Sequence, residues 1–133
     1  MAKIANAAFF PAGTISIGTD EYTAAITGAV LTPTTPTAPV TDISGVTTHV
    51  AGTPVWALQL NFSQDLATAS SLSQFLIANA GTKKGITYKP QAGATSKSFT
   101  INALILPAPV GGTGGQVASS QVTLPCDGQP TIA

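Results

Sequence analysis

The segment Val55–Phe62 reads VWALQLNF, and large apolar residues occupy every second position. Successive side chains of a β-strand point to opposite sides, so these residues share one face if the segment is extended. That face consists of Trp56, Leu58, Leu60 and Phe62. A shift of one residue would expose all of them, so the register should be firmly set. The sequence predicts a core strand here.

A second alternating segment, Ser98–Leu106, ends just before Pro107. Proline has no amide proton for a sheet ladder, so the strand should stop there. Turn residues recur along the rest of the chain between short runs rich in Thr, Val, Ile and Ala, which is typical of antiparallel β-structure. The shorter candidate strands are Gly13–Ile17, Thr23–Leu31, Gly45–Val50, Gly85–Lys89 and Ser119–Leu124.

One segment has helical spacing. Its apolar residues, three and four positions apart, are Leu66, Ala69, Leu72, Phe75, Leu76 and Ala80. Asp65, Thr68 or Ser70 is available as the N-cap, and Gly81 can end the helix in a left-handed conformation. We predict that the apolar stripe of this helix packs on the sheet, against Trp56, Leu58, Leu60, Phe62, Phe99, Ile101 and Ile105.

The segment Thr32–Ser44 contains three prolines and shows no periodicity. It is predicted to be an extended, stiff arm or loop, and a loop of this length in a small domain is usually functional. The run GGTGG, Gly111–Gly115, should be a flexible tip between the last two strands. No composition shift divides the chain, so a single domain over residues 1–133 is expected.

The composition is unusual for a soluble monomer. Charged residues make up 8% of the 133 positions, against about 25% in an ordinary domain, while hydrophobic residues make up 44% and the net charge is zero. No apolar run reaches the ~18 residues of a membrane-spanning helix, and disorder requires low hydrophobicity with high net charge. A lone cysteine, Cys126, cannot form an internal disulfide. A subunit whose surface is covered by neighbours fits best.

Residues that could perform catalysis are scarce. His49 and Cys126 could form a thiol–imidazole pair, but nothing in their spacing supports one, and Cys126 lies in a Pro-Cys-Asp-Gly sequence that suggests a turn. Asp20 and Glu21 are adjacent, so their carboxylates should point apart in a solvated turn. Arginine is absent and the five lysines are not clustered, which argues against tight nucleic-acid binding. We expect a protein that is not an enzyme and needs no cofactor.

Two longer stretches carry a family resemblance. VWALQLNFSQDLATASSLSQFLIANAGTKKGITYKPQAG begins at Val55, and SKSFTINALILPAPVGGTGGQVASSQVTLPCDGQPT ends at Thr131. Together they resemble the small major tail proteins, or tail tube subunits, of long-tailed siphophages, particularly those of actinobacterial hosts. The shared pattern is a Trp-bearing strand ending in LQL-F-QD, a helix of SLS-FL form before NAG, a strand pair, a P-P-GG loop and a closing strand.

The resemblance implies a mainly β tail tube fold, with antiparallel sheets arranged like a β-sandwich or barrel and one flanking helix. It also implies hexameric rings stacked into a hollow tube that conducts double-stranded DNA without binding it specifically. The expected partners are other copies of the chain, a tape measure protein and tail-end proteins. The expected location is the virion tail, with assembly in the host cytoplasm and no membrane contact.

On this basis Thr34, Pro36 and Pro39 are predicted to contact a neighbouring subunit. Thr87, Thr100 and Asn102 are predicted to face the channel, with the lysines at interfaces or on the outside, because fixed cations would hold a passing phosphate backbone. Two alternatives remain open. A capsid decoration protein would also tolerate low charge, whereas a β-sandwich adhesin or binding module would need an exposed aromatic or acidic site.

Overall fold

The computed structural model describes residues 1–93 and 96–133 and consists mainly of β-strands. The strands are β1 (Thr14–Ile17), β2 (Asp20–Glu21), β3 (Ile26–Thr34), β4 (Thr37–Thr41), β5 (Thr47–Ala51), β6 (Val55–Ser63), β7 (Lys83–Lys89), β8 (Phe99–Leu104) and β9 (Ser119–Ile132). The helix α1 spans Leu72–Ala78. The predicted fold class, antiparallel β-structure with one flanking helix, is confirmed.

A single sheet forms the body of the domain. Its seven strands lie in the order β2-β1-β7-β8-β9-β6-β3 and every neighbouring pair is antiparallel. The sheet curls into a half-barrel, so buried side chains from both of its ends meet in one core. The expected sandwich-like or barrel-like arrangement therefore comes from the curvature of one sheet. The other two strands, β4 and β5, pair only with each other.

The core confirms the register predicted for β6. Leu58, Leu60 and Phe62 are buried, and Trp56 is half-buried on the same side. They join Ile101 and Ile105 and the helix residues Leu72, Phe75 and Leu76 in one apolar cluster. Phe99 was expected in this cluster and is not part of it; it is half-buried at the first position of β8, opposite Ile132 and Tyr88.

The helix is shorter than its apolar spacing predicted. It begins after Ser71, whose side chain accepts a hydrogen bond from the backbone N–H of Gln74, and not after Asp65, Thr68 or Ser70. Asp65 instead accepts from the backbone N–H groups of Ala67 and Thr68, which closes a separate turn before the helix. Asp65 and Ser71 therefore each accept hydrogen bonds from a different stretch of backbone. The turn closed by Asp65 is separate from the helix, which begins only after Ser71.

The segment Thr32–Ser44, predicted to be an extended arm or loop, is extended, and most of it is paired in strands. Residues up to Thr34 complete β3, and β4 then pairs with β5 in a projecting hairpin whose strand residues are all exposed. Pro39, opposite His49, is tolerated because each strand of a two-stranded ladder keeps one free edge. The β-branched Thr and Val residues and the turn at Asp42 outweigh the prolines.

Cys126 does not lie in a turn. β9 continues through the Pro-Cys-Asp-Gly sequence, and Cys126 is buried in the core with a pKa raised by desolvation. Gly128 does adopt a positive φ, of 70°, but the chain does not turn back there. Instead, the pairing of β8 with β9 changes register between the Asn102–Asp127 pair and the Thr100–Thr131 pair. A β-bulge thus replaces the predicted end of the strand.

Candidate functional site

Thr87, Thr100 and Asn102 lie together on the side of the sheet that faces away from the core. Thr87 is the direct register partner of Thr100, and Asn102 lies opposite Gly85. All are exposed, whereas the intervening Ile86 and Ile101 are buried on the other side. Strand alternation thus gathers all of the residues predicted to face a channel into one patch, although their role there stays a prediction.

The same polar character extends across the sheet. Ser16 is paired with Thr87, and Thr131 with Thr100, so a row of hydroxyl groups crosses β1, β7, β8 and β9. Further along β9, the strand partners are Gln59–Thr123 and Asn61–Gln121. We call this surface the polar face. Its members are Ser16, Gln59, Asn61, Thr87, Thr100, Asn102, Gln121, Thr123 and Thr131.

Charged residues also alternate onto this face. Lys83 and Lys89, at the two ends of β7, share the parity of Thr87, and Lys83 forms an ion pair of 2.8 Å with Asp127 on β9. The expectation that lysines avoid the predicted channel surface therefore conflicts with the placement of Thr87 and Thr100 on it. Because side chains alternate along a strand, the lysines and the threonines of this region lie on the same side of the sheet. The net charge of the face is therefore more informative about DNA binding than the presence of lysine alone.

The β4–β5 hairpin is the second candidate surface. Thr34, Pro36 and Pro39 are all exposed along it or at its base. Its apolar side chains have no cover either, and more than half of the surface of each is exposed: Val40, Ile43, Val46 and Val50. An exposed apolar group of this kind, on an element that contributes nothing to the core, is typical of a protein-binding surface.

Specific contacts give the hairpin a defined shape. At its base the N–H of Gly52 donates to the carbonyl of Pro36 at 2.7 Å, and a Cβ on Gly52 would lie 2.8 Å from the Pro36 ring. At its tip the Asp42 carboxylate accepts from the side chain of Ser44 and from the backbone N–H of Val46. These hydrogen bonds hold the pKa of Asp42 below its usual value.

Trp56 lies where the hairpin joins the sheet, opposite Pro33. Its ring packs against the core cluster, but the indole Nε1 is buried and has no hydrogen-bond partner within residues 1–93 and 96–133. A buried N–H without an acceptor costs about 1–3 kcal/mol.

The sequence did not predict a contact between Gln64 and the base of the GGTGG loop. The side chain of Gln64 donates to the carbonyls of Gly111 and Ser119, each at 2.8 Å, and accepts from the N–H of Gly111 at 2.9 Å. The base of the GGTGG loop is thus fixed, although the glycine-rich run indicated a flexible tip. No local pattern around Gln64 signals a contact across 47 positions of the chain.

The residues considered for catalysis are not brought together. His49 lies on the exposed hairpin, and Cys126 is buried in β9. Within the described ranges, no three His, Cys, Asp or Glu side chains are grouped closely enough to hold a metal ion. The helix in the described part of the chain is too short to cross a membrane.

Comparisons with known proteins found similarity at the level of structure. No family model matches the chain, and no curated protein sequence matches it. A chain in the cryo-EM structure of the anti-feeding prophage cap, the AFP tube terminating cap, is similar with a TM-score of 0.64 and 18% identity. The match covers 99% of this chain and 95% of that one, so the two share their fold along nearly the whole length.

Proposed function

We propose that this chain is a structural subunit of a phage tail tube, in which copies join into hexameric rings that stack around a DNA channel. The observation that carries the proposal is the fold shared with a chain of a tube terminating cap over 99% of the sequence. The siphophage-like pattern from Val55 to Thr131 supports the more specific assignment to the tube itself. The subunit would act in the virion tail after assembly in the host cytoplasm.

The open edge of β3 supports ring formation. β3 is the last strand of the sheet and pairs only with β6, and the Ala29 carbonyl accepts from Tyr88 of the same chain. Another copy can extend the sheet along the rest of this edge. Pro33 offers no N–H, which limits indiscriminate pairing at the same edge.

The polar face suits a channel lining. If about four strands of each of the six copies form the inner wall, about 24 strands, spaced about 4.8 Å apart and tilted about 40°, enclose a barrel roughly 50 Å across its backbone, which leaves room for duplex DNA. Hydroxyl and amide side chains can solvate a passing duplex without fixing its phosphates. A tape measure protein and tail-end proteins would occupy the same tube during assembly.

The hairpin supplies a contact for stacking. Its apolar side chains are exposed in the single chain, and covering them against a copy in the next ring would remove that surface from water. A projecting hairpin with a fixed tip loses little conformational entropy on docking, which favours association.

Electron microscopy of the full chain at high concentration tests the proposal. We expect hexameric rings and hollow tubes with a central channel, and their absence across salt and concentration would contradict it. Trimers that bind capsid shells would instead indicate a decoration protein, and a monomer that binds a carbohydrate would indicate an adhesin or binding module.

A further inference from the structure

The Lys83–Asp127 ion pair spans β8 on the polar face. Lys83 lies on β7 opposite Leu104, and Asp127 lies on β9 opposite Asn102. The Nζ–Oδ2 distance is 2.8 Å, and the side chains are 57% and 51% exposed. The pair is therefore solvated and lies beside Asn102, one of the residues predicted to face a channel.

Stability does not account for this pair. Exposed ion pairs contribute about 0–1 kcal/mol, since water and salt screen them. Lys83 has another use, because its methylene stem lies opposite the half-buried Leu104 and can cover that apolar side chain. The ammonium group that accompanies the stem then adds to the positive charge that Lys89 places on the same face, unless a carboxylate lies beside it.

We propose that Asp127 masks the charge of Lys83, so that the polar face does not capture the phosphate backbone of duplex DNA. The proposal rests on the proposed function, because DNA is the polyanion that a tube lining meets. An uncompensated Lys83 in each subunit would recur around each ring and along the stack, in addition to Lys89. Each additional lysine–phosphate interaction steepens the slope of log affinity against log salt by about 0.9.

The bulge in β9 positions the carboxylate. The register of β8 and β9 changes immediately after the Asn102–Asp127 pair, where Gly128 adopts a φ of 70°. Asp127 is therefore the last residue of β9 in the first register, and its carboxylate reaches across β8 to Lys83. Asp127 acts through Lys83, as a residue that positions and neutralises it.

Retention of the full-length protein on a duplex-DNA column over a salt series tests this. Asp127→Asn should elute at higher salt than the wild type, and each added lysine–phosphate interaction should weaken about 3.5-fold between 50 and 200 mM salt. Asp20→Asn, which makes the same change of net charge on the exposed β2, is the matched control and should shift less. Asp127→Glu should restore wild-type elution.

The double variant Lys83→Gln, Asp127→Asn separates masking from a structural role of Asp127. It lacks the ion pair as completely as the single variant but also lacks the cation at position 83, so its retention should return to the wild-type level. Persisting retention in the double variant, or an equal shift with Asp20→Asn, would overturn the proposal. If the protein forms rings but Asp127→Asn elutes like the wild type, masking is rejected and the tube proposal stands. If Asp127→Asn elutes at higher salt but no rings form, the tube proposal is rejected and masking stands.

Discussion

The hydroxyl of Tyr88 on β7 donates a hydrogen bond of 2.8 Å to the backbone carbonyl of Ala29 on β3. These strands are not neighbours in the sheet: β3 is its edge, and β8, β9 and β6 lie between them. The contact therefore closes the half-barrel across its open side. Burial raises the pKa of Tyr88, so its hydroxyl stays neutral and able to donate at pH values at which an exposed tyrosine begins to ionise.

Removing this hydroxyl tests the closure of the half-barrel. Tyr88→Phe keeps the ring and loses the hydrogen bond, so the free energy of unfolding should fall by about 0.5–1.5 kcal/mol. Amide exchange should increase locally in β3, near Ala29, and stay unchanged in β6 and β9. Tyr22→Phe is a suitable control, since its ring packs on Phe75 with centroids 5.5 Å apart. Equal exchange in β3 for wild type and Tyr88→Phe would contradict the role assigned to this contact.

The apolar core should respond strongly to truncation in β6. Leu60 is fully buried, so Leu60→Ala should cost about 2–5 kcal/mol through lost burial and a residual cavity. Ile77 on the helix is 51% exposed, and Ile77→Ala should stay within about 0.5 kcal/mol of the wild type. Urea denaturation of both variants makes the comparison, and similar losses would mean that the core is wrongly assigned.

Sequence patterns were most informative where a single period governs many residues. The alternation in β6 and β8 predicted their faces correctly, because exposing Leu58 or Ile101 would cost several kcal/mol. Local signals failed where two of them competed, as at Asp65 and Ser71, or where pairing came from a distant strand, as for Cys126. The Gln64 contact and the Lys83–Asp127 pair depend on tertiary neighbours, which single-sequence periodicity does not encode.

Removing the hairpin should separate folding from assembly. Thr34 and Val55 are register partners at the ends of β3 and β6, so residues 35–54 can be replaced by Asn-Gly, which favours a tight two-residue turn. Because all residues of the hairpin strands are exposed and none belongs to the core, the melting temperature should change by only a few degrees. Tubes should no longer form at concentrations at which the wild type assembles.

Fluorescence of Trp56 at the hairpin base adds a second readout of the same experiment. Its emission should change on assembly of the wild type and stay constant with concentration in the hairpin deletion. A substitution confined to the apolar side chains, Val40→Thr with Val50→Thr, keeps the hairpin and should weaken stacking in the same direction. Normal tube formation by the deletion variant would show that the hairpin is only a surface loop.

The shape of the hairpin tip should depend on pH through Asp42. Hydrogen bonds from the Ser44 side chain and the Val46 backbone lower the pKa of this carboxyl in the folded hairpin. A lowered folded-state pKa means that the stabilisation is fully present above the unfolded value of about 3.9 and is lost as the pH falls through the folded value. NMR of the Val46 amide should report the loss below about pH 4.

Asp42→Asn keeps an acceptor oxygen without a titrating proton, so its Val46 signal should not move over the same range. Asp42→Ala removes the acceptor and should loosen the tip at every pH. Parallel pH responses of the wild type and Asp42→Asn would exclude Asp42 as the group that holds the turn.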